Sequence, residues 1–347
     1  MKAVRIHEHG GPEVLSVDEV DVPEPRAGEA LVRVLGASVN HLDLWVRRGM
    51  PGVKIPFPRI LGCDGVGEVV ALGPGAEGPA VGTRVVIEPG MSSGQSAEDA
   101  RGMDHLSRDY HIRGEHTDGL DCDYVTAETR YLLPLPESID PVQAAAVPLV
   151  FLTAWGMLVT RAALTSGETV LVLGGASGVG SAAIQIAKDR GARVLATAGS
   201  DAKLALCASL GADHVVDHRD ESWGREVKAL TDGAGCDVVF EHVGPATWKT
   251  SMAVLARNGR LVTCGGTTGP MVQLALPHLF IKNQTVMGST MGPRSAFPEI
   301  FRKVAQGVFR PVVDRVLSLD EAREAHELLE TRQVGGKIVL VPEHASA

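Results

Sequence analysis

The feature that most constrains the fold of this chain is a glycine-rich turn near its middle. Residues 170–183 have the sequence VLVLGGASGVGSAA, in which an apolar strand pattern runs into small residues and then into a helical pattern. Gly175, Ser177 and Gly180 occupy the three positions of a G-x-G-x-x-G motif, with serine at the middle one. Small residues let a backbone approach a diphosphate, and a helix start supplies unpaired N–H groups and a positive dipole end. The pattern predicts a dinucleotide site, with a tight turn that binds no ligand as the alternative.

The surrounding sequence favours the dinucleotide site. After residue 141, apolar strand patterns alternate with helical ones, and such alternation is typical of a parallel sheet covered by helices on both faces. We predict strands at 169–173, 193–197, 214–216, 237–240, 259–263 and 284–288, and helices at 181–190, 201–210, 223–230 and 246–256. The glycine turn follows the first of these strands, which is the context the motif requires. The fold class is therefore α/β, with a Rossmann-type doubly wound parallel sheet.

The end of the second strand bears on the choice between NAD and NADP. An NAD site usually has an acidic residue there to bind the ribose 2′-hydroxyl. Here Ser200 and Lys203 follow the strand, and they suit a 2′-phosphate through a hydroxyl and a positive charge. Asp201 argues the other way, although an acid also suits the first turn of a helix. We predict NADP(H), with NAD as the alternative.

Length and charge exclude several other classes of protein. A chain of 347 residues is expected to form two domains, and its net charge of −9 disfavours binding to nucleic acid.

The N-terminus has no apolar signal-peptide core. The longest apolar run, 144–159, contains Pro148 and is shorter than the roughly 20 residues that span a bilayer. The five cysteines are scattered and odd in number, which predicts no disulfide framework. We expect a cytoplasmic protein.

Further segments make the whole chain recognisable. They have the sequences GASVNHLD at 36–43, ILGCDGVGEV at 60–69, GTRV at 82–85, AAAVPL at 144–149, LTAW at 152–155, LGAD at 210–213 and GGKIVL at 335–340. The chain resembles the medium-chain dehydrogenase/reductase superfamily, in particular its zinc-independent quinone oxidoreductase-like branch. The resemblance implies a GroES-like β-barrel catalytic domain, 1–137 and 292–347, and a Rossmann domain, 138–291. It also implies an active site in the cleft between them and a homodimer or homotetramer.

The departures from the zinc-dependent relatives are informative. Those relatives have Cys-His where this chain has Asn40 and His41, and Gly-His-Glu where it has Gly62, Cys63 and Asp64. A cysteine of theirs falls near Leu149. Catalytic zinc needs three protein ligands and an open position. We therefore expect no zinc, with a degenerate site built from His41, Cys63 and Asp64 as the alternative.

The polar segment 92–119 resembles the lobe that binds structural zinc in those relatives. Ser93, Ser96, Asp99 and Ser107 stand at the positions of the four cysteines. Serine is not a useful zinc ligand, so the lobe must hold its shape by hydrogen bonds and packing, or be mobile. Three nearby histidines are irregularly spaced, and we interpret them as loop residues.

These observations predict an NADPH-dependent reductase of quinones or α,β-unsaturated carbonyls. Hydride addition to a conjugated carbonyl places negative charge on oxygen, which hydrogen-bond donors can stabilise without a metal. Asn40 would donate to that oxygen, or else cap the backbone. His41 would transfer a proton or be structural. Asp43 would orient the loop or cap a short helix, with proton transfer as the alternative. Cys63 and Asp64 would line the cleft.

The predicted cofactor-binding residues lie in the Rossmann domain. They are Thr153, Gly175, Ala176, Ser177, Gly178, Val179, Gly180, Ser200, Lys203, Gly265 and Ser289. The expected partner is a small carbonyl or quinone, with neither nucleic acid nor membrane. Two other functions remain open, a zinc-dependent alcohol dehydrogenase with a degenerate metal site and a non-catalytic NADPH-binding protein.

Overall fold

The structure is a computed structural model that describes residues 1–50 and 52–345. The strands are, in chain order, β1 (Lys2–Ile6), β2 (Leu15–Glu19), β3 (Glu29–Ser38), β4 (Arg59–Ile60), β5 (Asp64–Leu72), β6 (Arg84–Ile87), β7 (Gly90–Met91), β8 (His111–Ile112), β9 (Tyr124–Glu128), β10 (Leu132–Pro134), β11 (Thr169–Val172), β12 (Arg193–Ala198), β13 (His214–Asp217), β14 (Cys236–Glu241), β15 (Leu255–Thr263), β16 (Thr285–Gly288), β17 (Val313–Ser318) and β18 (Lys337–Val341).

The α-helices are mostly short and lie between the strands. They are α1 (His41–Arg48), α2 (Ala97–Ala100), α3 (Pro141–Ala145), α4 (Pro148–Trp155), α5 (Gly178–Asp189), α6 (Asp201–Ser209), α7 (Trp223–Leu230), α8 (Pro245–Val254), α9 (Leu276–Ile281), α10 (Phe297–Ala305) and α11 (Ala322–Glu330). Within the described ranges, none is both long and apolar enough to span a bilayer.

The chain forms two compact units, each assembled from more than one segment. The first, called here the GroES-like unit, comprises 1–149, 297–305 and 310–347. The second, the Rossmann unit, comprises 150–296 and 306–309. The domain boundaries at 137/138 and 291/292 stay predictions drawn from the resemblance.

The GroES-like unit is built on a sheet that is antiparallel except for its last pair, β17 and β18, which lie parallel to each other. The sheet order is β10-β6-β5-β3-β18-β17, and β9 also pairs with β3. The register places Ser38 of β3 opposite both Asp64 of β5 and Val339 of β18. Three distant segments therefore meet at one end of β3, and the first residue of β18, Lys337, is two positions from Val339.

The Rossmann unit confirms the predicted doubly wound fold. Its six parallel strands have the order β13-β12-β11-β14-β15-β16, so the strand order reverses between β11 and β14. Ligands of open α/β sheets bind at the carboxyl ends of the strands beside such a reversal. The turn after β11 occupies that position, and α5 begins within it at Gly178.

Candidate active site

A buried polar network in the GroES-like unit brings together three of the predicted catalytic residues. The amide nitrogen of Asn40 donates to Asp64 Oδ2 at 2.9 Å and to the Ser38 carbonyl oxygen at 3.1 Å, and it lies 3.3 Å from Cys63 Sγ. Ser38 Oγ also donates to Asp64 Oδ2, at 3.1 Å. The other carboxylate oxygen of Asp64 accepts the backbone N–H of Leu149 at 2.6 Å. The Asn40 amide is thus engaged with protein acceptors, of which the sulfur is the weakest.

Lys337 supplies the positive charge of this network, and the sequence analysis gave it no role. Its side chain is about 4% exposed, and Nζ donates to Asp64 Oδ2 at 3.1 Å and to the Val39 carbonyl oxygen at 2.9 Å. It also donates to the side-chain oxygen of Asn40. All three ammonium hydrogens therefore have acceptors. A lysine at the start of a strand that is otherwise aliphatic and fully buried is a signal that sequence reasoning could have used.

Asp43 holds the start of helix α1 in place. Its Oδ2 accepts the backbone N–H of Asn40 at 2.7 Å, as the acidic residue of a capping box does. The pKa of Asp43 is raised to about 7, chiefly by burial and in part by the negative charge of Asp64. The hydrogen bond from the Asn40 backbone and the charge of Lys337 act in the opposite direction. Beside it His41 is the first residue of α1, and its ring lies 6.5 Å from that of Trp45.

Two further acidic groups lie buried close by. Asp121 is fully buried, and neither of its carboxylate oxygens has a hydrogen-bond partner among residues 1–50 and 52–345. Burial, with the nearby charges of Asp43 and Asp64, raises its pKa well above the usual value. Cys63 is also fully buried, and the same influences raise the pKa of its thiol. Because the thiol is enclosed and its pKa is raised, Cys63 is a poor target for oxidation or alkylation.

The donor set at this network does not fit a catalytic zinc ion. Asp64 is already ion-paired with Lys337, Asn40 is a poor ligand, and Leu149 presents an apolar side chain. In the part of the chain that the structure describes, no three His, Cys, Asp or Glu side chains are grouped as metal ligands would be. The groups that this network itself offers to a substrate are its hydrogen-bond donors and its one ammonium group.

The polar lobe at 92–109 is held together by two carboxylates. Asp99 accepts hydrogen bonds from Ser92 Oγ at 2.6 Å and from Ser96 Oγ at 2.7 Å. Asp109 accepts from Ser107 Oγ and from the Ser93 backbone N–H, the latter at 3.0 Å. The Ser107 hydroxyl and the Ser93 contacts lower the pKa of Asp109 to about 2. Of the two possibilities stated for this lobe, the structure shows the hydrogen-bonded one.

The glycine turn of the Rossmann unit has the geometry of a dinucleotide cradle. Ser177 caps α5, because its Oγ accepts the Gly180 backbone N–H at 3.0 Å. A Cβ added at Gly180 would lie 2.3 Å from the Gly174 carbonyl oxygen, so only glycine fits there. His242, which follows β14, donates from Nε2 to the Leu173 carbonyl oxygen at 2.8 Å and fixes the turn from the other side. Ala176, Gly178 and Val179 complete this turn and the first residues of the helix.

The carboxyl ends of β12 and β13 carry a charged cluster. Ser200 caps α6 by accepting the Lys203 backbone N–H at 3.3 Å. Arg219, just beyond β13, donates to Asp217 at 2.6 Å and to Asp201 at 3.0 Å. Because Asp201 and Lys203 lie in the first turn of α6, the guanidinium group stands beside the predicted 2′-phosphate position. Sequence analysis missed Arg219, since a single basic residue after a strand gives no local signal.

The remaining predicted cofactor residues occupy two other places in the Rossmann unit. Gly265 and Ser289 both contact Thr263, through a hydrogen bond from the Thr263 hydroxyl to the Gly265 carbonyl oxygen at 3.0 Å and one from the Ser289 N–H to the Thr263 carbonyl oxygen at 2.9 Å. They thus lie together at the carboxyl ends of β15 and β16. Thr153 is buried on α4, with Oγ1 3.9 Å from the Met291 sulfur.

Comparison with known proteins identifies the two units. Residues 26–137 match the family model described as alcohol dehydrogenase GroES-like domain, and residues 178–306 match the one described as zinc-binding dehydrogenase. The fold and the glycine turn thus define a two-unit, nicotinamide-dependent oxidoreductase.

Relatives of similar length extend the match to nearly the whole chain. A quinone oxidoreductase of Pseudomonas aeruginosa is 33% identical over 98% of this chain and 99% of its own length. A crotonyl-CoA reductase of Streptomyces collinus is 30% identical over 95% of this chain and 82% of its own length. A solved structure described as an NAD-dependent alcohol dehydrogenase is 44% identical, covers 98% of this chain and 99% of that one, and has a TM-score of 0.95. The chain belongs to the medium-chain dehydrogenase/reductase superfamily and is quinone oxidoreductase-like.

Proposed function

We propose that the protein is an NADPH-dependent reductase that transfers hydride to quinones or α,β-unsaturated carbonyls without zinc. The observation that carries the proposal is the buried contact of Lys337 with Asn40 and Asp64, at positions where zinc-dependent relatives have metal ligands. Relatives named quinone oxidoreductase and crotonyl-CoA reductase support the substrate class. In this proposal NADPH supplies the hydride, and the protein supplies orientation and charge stabilisation.

The network offers the kind of donor that such a reduction needs. Negative charge develops on the substrate oxygen, and preorganised N–H groups stabilise it in a site with little water. Asn40 Nδ2 has two hydrogens and three neighbouring acceptors, and the contact with Cys63 Sγ at 3.3 Å is the weakest of them. A substrate oxygen would replace the sulfur as acceptor. Lys337 would keep the amide oriented by donating to its oxygen.

The proton that completes the reduction needs a separate source. His41, the first residue of α1, is the proposed proton donor, and Asp43 positions its helix through the Asn40 backbone. Cys63 and Asp64 would shape the pocket, with Asp64 holding Lys337 and Asn40 in place. His41→Gln should lower turnover at neutral pH and leave binding of NADPH unchanged.

The cofactor preference rests on the charges beyond β12 and β13. Lys203 and Arg219 bring two positive charges to the first turn of α6, and Ser200 is the N-cap residue of that helix. Asp201 and Asp217, both ion-paired with Arg219, offset part of that charge. We infer a preference for NADPH over NADH. Gly175, Gly178 and Gly180 with the N-terminus of α5 would hold the diphosphate, and Thr153, Gly265 and Ser289 the nicotinamide end.

A stopped-flow experiment tests the reaction. The protein is mixed with NADPH and a panel of quinones, enones and aldehydes, and separately with NAD or NADP and primary alcohols. Faster turnover of alcohol with the oxidised cofactor than of every quinone and enone with NADPH would reject the proposal.

The 44% identical structure described as an NAD-dependent alcohol dehydrogenase favours one second function, alcohol oxidation at a degenerate zinc site. Metal analysis of protein purified without added metal distinguishes it. Stoichiometric zinc, together with loss of activity on chelation, would support the second function. A third outcome, tight NADPH binding without turnover of any acceptor, would indicate a non-catalytic NADPH-binding protein.

We also propose that the protein is cytoplasmic and forms a homodimer or homotetramer through the Rossmann unit. Strand β16 is at the edge of its sheet, so one side of it is unpaired there. Beside it are exposed apolar side chains, with Met271 79% and Phe280 66% exposed, and Leu276 and Ile281 similarly open. An apolar patch next to a free strand edge suits a second copy of the same surface. Light scattering of Phe280→Lys should show dissociation, and an unchanged mass would argue against this interface.

A further inference from the structure

A cavity in the GroES-like unit lies among elements that the proposed reaction does not use. It has a volume of about 420 Å³ and is bordered by strands β7, β8 and β9 and by the segments around Val20 and Asp118. Much of its wall is apolar, including Val20, Ile60, Met91 and Val125. Cavities of this size and lining accommodate small organic molecules.

One wall of the cavity carries a buried arginine without an ionic partner. Arg113 is 5% exposed, and its one hydrogen bond from the side chain runs from Nη1 to the Thr126 carbonyl oxygen at 3.2 Å. No carboxylate oxygen of the described residues lies within 4 Å of its guanidinium group. Among the described residues Nε is enclosed and has no partner, whereas Nη2 has no hydrogen bond and is not enclosed. Arg113 thus has a donor available at the cavity.

The charge of Arg113 is only partly balanced by its surroundings. Burial lowers the pKa of the guanidinium group to about 10, although the more distant charges of Glu128 and Glu29 act in the opposite direction. Glu128 is itself paired with Arg130 at 2.7 Å. A buried cation without a close counter-ion is costly, and the cost falls when an anion binds to it.

Among the described residues, most of the other charged groups of the cavity wall are ion-paired, and the exceptions are the acids Asp21 and Glu29. Asp118 pairs with Arg59 at 3.2 Å, and Arg5 pairs with Asp18 at 3.2 Å. Thr117 forms a β-bridge with Arg113, and its hydroxyl, buried at the same wall, has no hydrogen-bond partner among the described residues. The guanidinium group and this hydroxyl are thus two polar groups at a cavity whose lining also includes apolar side chains.

We propose that this cavity binds a small organic monocarboxylate, with the carboxylate on Arg113 and the carbon chain against Val20, Ile60 and Met91. The apolar wall selects an organic ion over a bare inorganic one. The uncompensated charge is a single one, and two acidic residues at the cavity, Asp21 and Glu29, disfavour a dianion. The proposal does not depend on the reaction that the protein catalyses, so a measurement of ligand binding is sufficient to test it.

Isothermal titration of the intact protein tests the proposal with four probes, namely butyrate, benzoate, inorganic phosphate and butylammonium. We expect saturable binding of butyrate or benzoate below about 10 mM, a range that corresponds to weak but specific affinity. Arg113→Met should weaken that binding at least tenfold, and Arg113→Lys should retain part of it. Arg101→Gln, an exposed arginine of the same unit, is the matched control and should bind like the wild type.

A measurement on the wild type covers the case in which the Arg113 variants fail to fold. Nuclear magnetic resonance of arginine-labelled protein should show one buried Nε–H signal that shifts with benzoate and not with butylammonium. Absence of saturable carboxylate binding, preference for phosphate or for butylammonium, or undiminished benzoate binding in Arg113→Met would each overturn the proposal.

Discussion

Lys337 Nζ lies 3.1 Å from Asp64 Oδ2 inside the GroES-like unit, and both side chains are almost completely shielded from water. The two residues are 273 positions apart in the chain. Their contact therefore joins the first residue of β18 to the first residue of β5. A buried ion pair contributes little net stability when intact, but removal of one partner leaves an uncompensated charge.

The first prediction concerns this pair. Lys337→Met should lower the free energy of unfolding by about 3–5 kcal/mol, because Asp64 is left buried without its counter-ion. The double variant Lys337→Met with Asp64→Asn should recover part of that loss. Urea denaturation of the wild type, both single variants and the double variant measures the coupling. A loss below about 1 kcal/mol in Lys337→Met would show that water or another group replaces the ammonium.

The second prediction concerns the effect of pH on stability through Asp43. Its folded-state pKa is raised from 3.8 to about 7, so the folded protein retains a proton that the unfolded chain has lost. The stability contributed by this proton is fully present below about pH 4 and is lost as the pH rises to about 7. Asp43→Asn keeps an oxygen for the Asn40 N–H and removes the titration.

The comparison of Asp43→Asn with the wild type isolates this residue from other titrating groups. The stability of the variant relative to the wild type should increase between pH 5 and pH 7, measured by urea denaturation at each pH. Asp121→Asn should act in the same direction, since the pKa of that carboxyl is also raised. A difference that stays constant with pH would contradict the prediction.

The third prediction concerns the lobe held by Asp99 and Asp109. Because the pKa of Asp109 is lowered to about 2, its contribution is present above about pH 4 and is lost as the pH falls through about 2. Asp109→Ala should open the lobe to limited proteolysis at neutral pH, whereas Asp109→Asn should be less affected because it keeps one acceptor. Cleavage mapped by mass spectrometry reports the result. A lobe that becomes protease-sensitive in the wild type on addition of a chelator would instead point to a metal.

The fourth prediction concerns the glycine turn. Gly180→Ala places a Cβ 2.3 Å from the Gly174 carbonyl oxygen and should weaken NADPH binding by at least about tenfold. Gly288→Ala is the matched control, since its Cβ meets no atom within 4 Å. Fluorescence titration with NADPH measures both. Equal affinity of the two variants would mean that the dinucleotide does not use this turn.

The fifth prediction concerns cofactor choice. Arg219→Ala should weaken NADPH binding about tenfold and NADH binding much less, because a charged hydrogen bond to the 2′-phosphate is lost. Asp201→Asn should have the opposite effect, since it removes the carboxylate that competes for the guanidinium group. The dissociation constants of NADPH and NADH, measured for the wild type and both variants, test this prediction. A parallel loss for NADH and NADPH in Arg219→Ala would assign the residue a structural role.

Local sequence patterns were sufficient to predict the Rossmann sheet. Each strand is short and apolar, each helix follows at once, and the helix predicted at 223–230 ends where the structure ends it. The strand predicted at 259–263 proved longer, beginning at Leu255, because its first residues include polar ones that break the apolar pattern. Motif and periodicity act within about 20 residues, which is the scale of one strand–helix repeat.

The polar network could be predicted only in part. Asn40, Cys63 and Asp64 were found because they differ from metal ligands at known positions, whereas the partner that engages them comes from the far end of the chain. The hydrogen bonds of Lys337 and the burial of Asp121 both depend on how distant strands are aligned in the sheet. Arg219 was missed for the same reason, since its significance lies in its distance from Asp201 and not in its neighbours along the chain.

The position of Lys337 in the sequence also determines when, during synthesis of the chain, the buried ion pair can form. Asn40 and its ammonium partner are separated by 297 residues, so at about 5–20 residues per second a ribosome needs roughly 15–60 s between them. During that interval the nascent chain carries Asp64 without its counter-ion, while the intervening nucleotide-binding segment emerges and can fold. The polar centre is thus completed only after Lys337 has been synthesised, and chaperones that shield the early strands would have their greatest effect in that window.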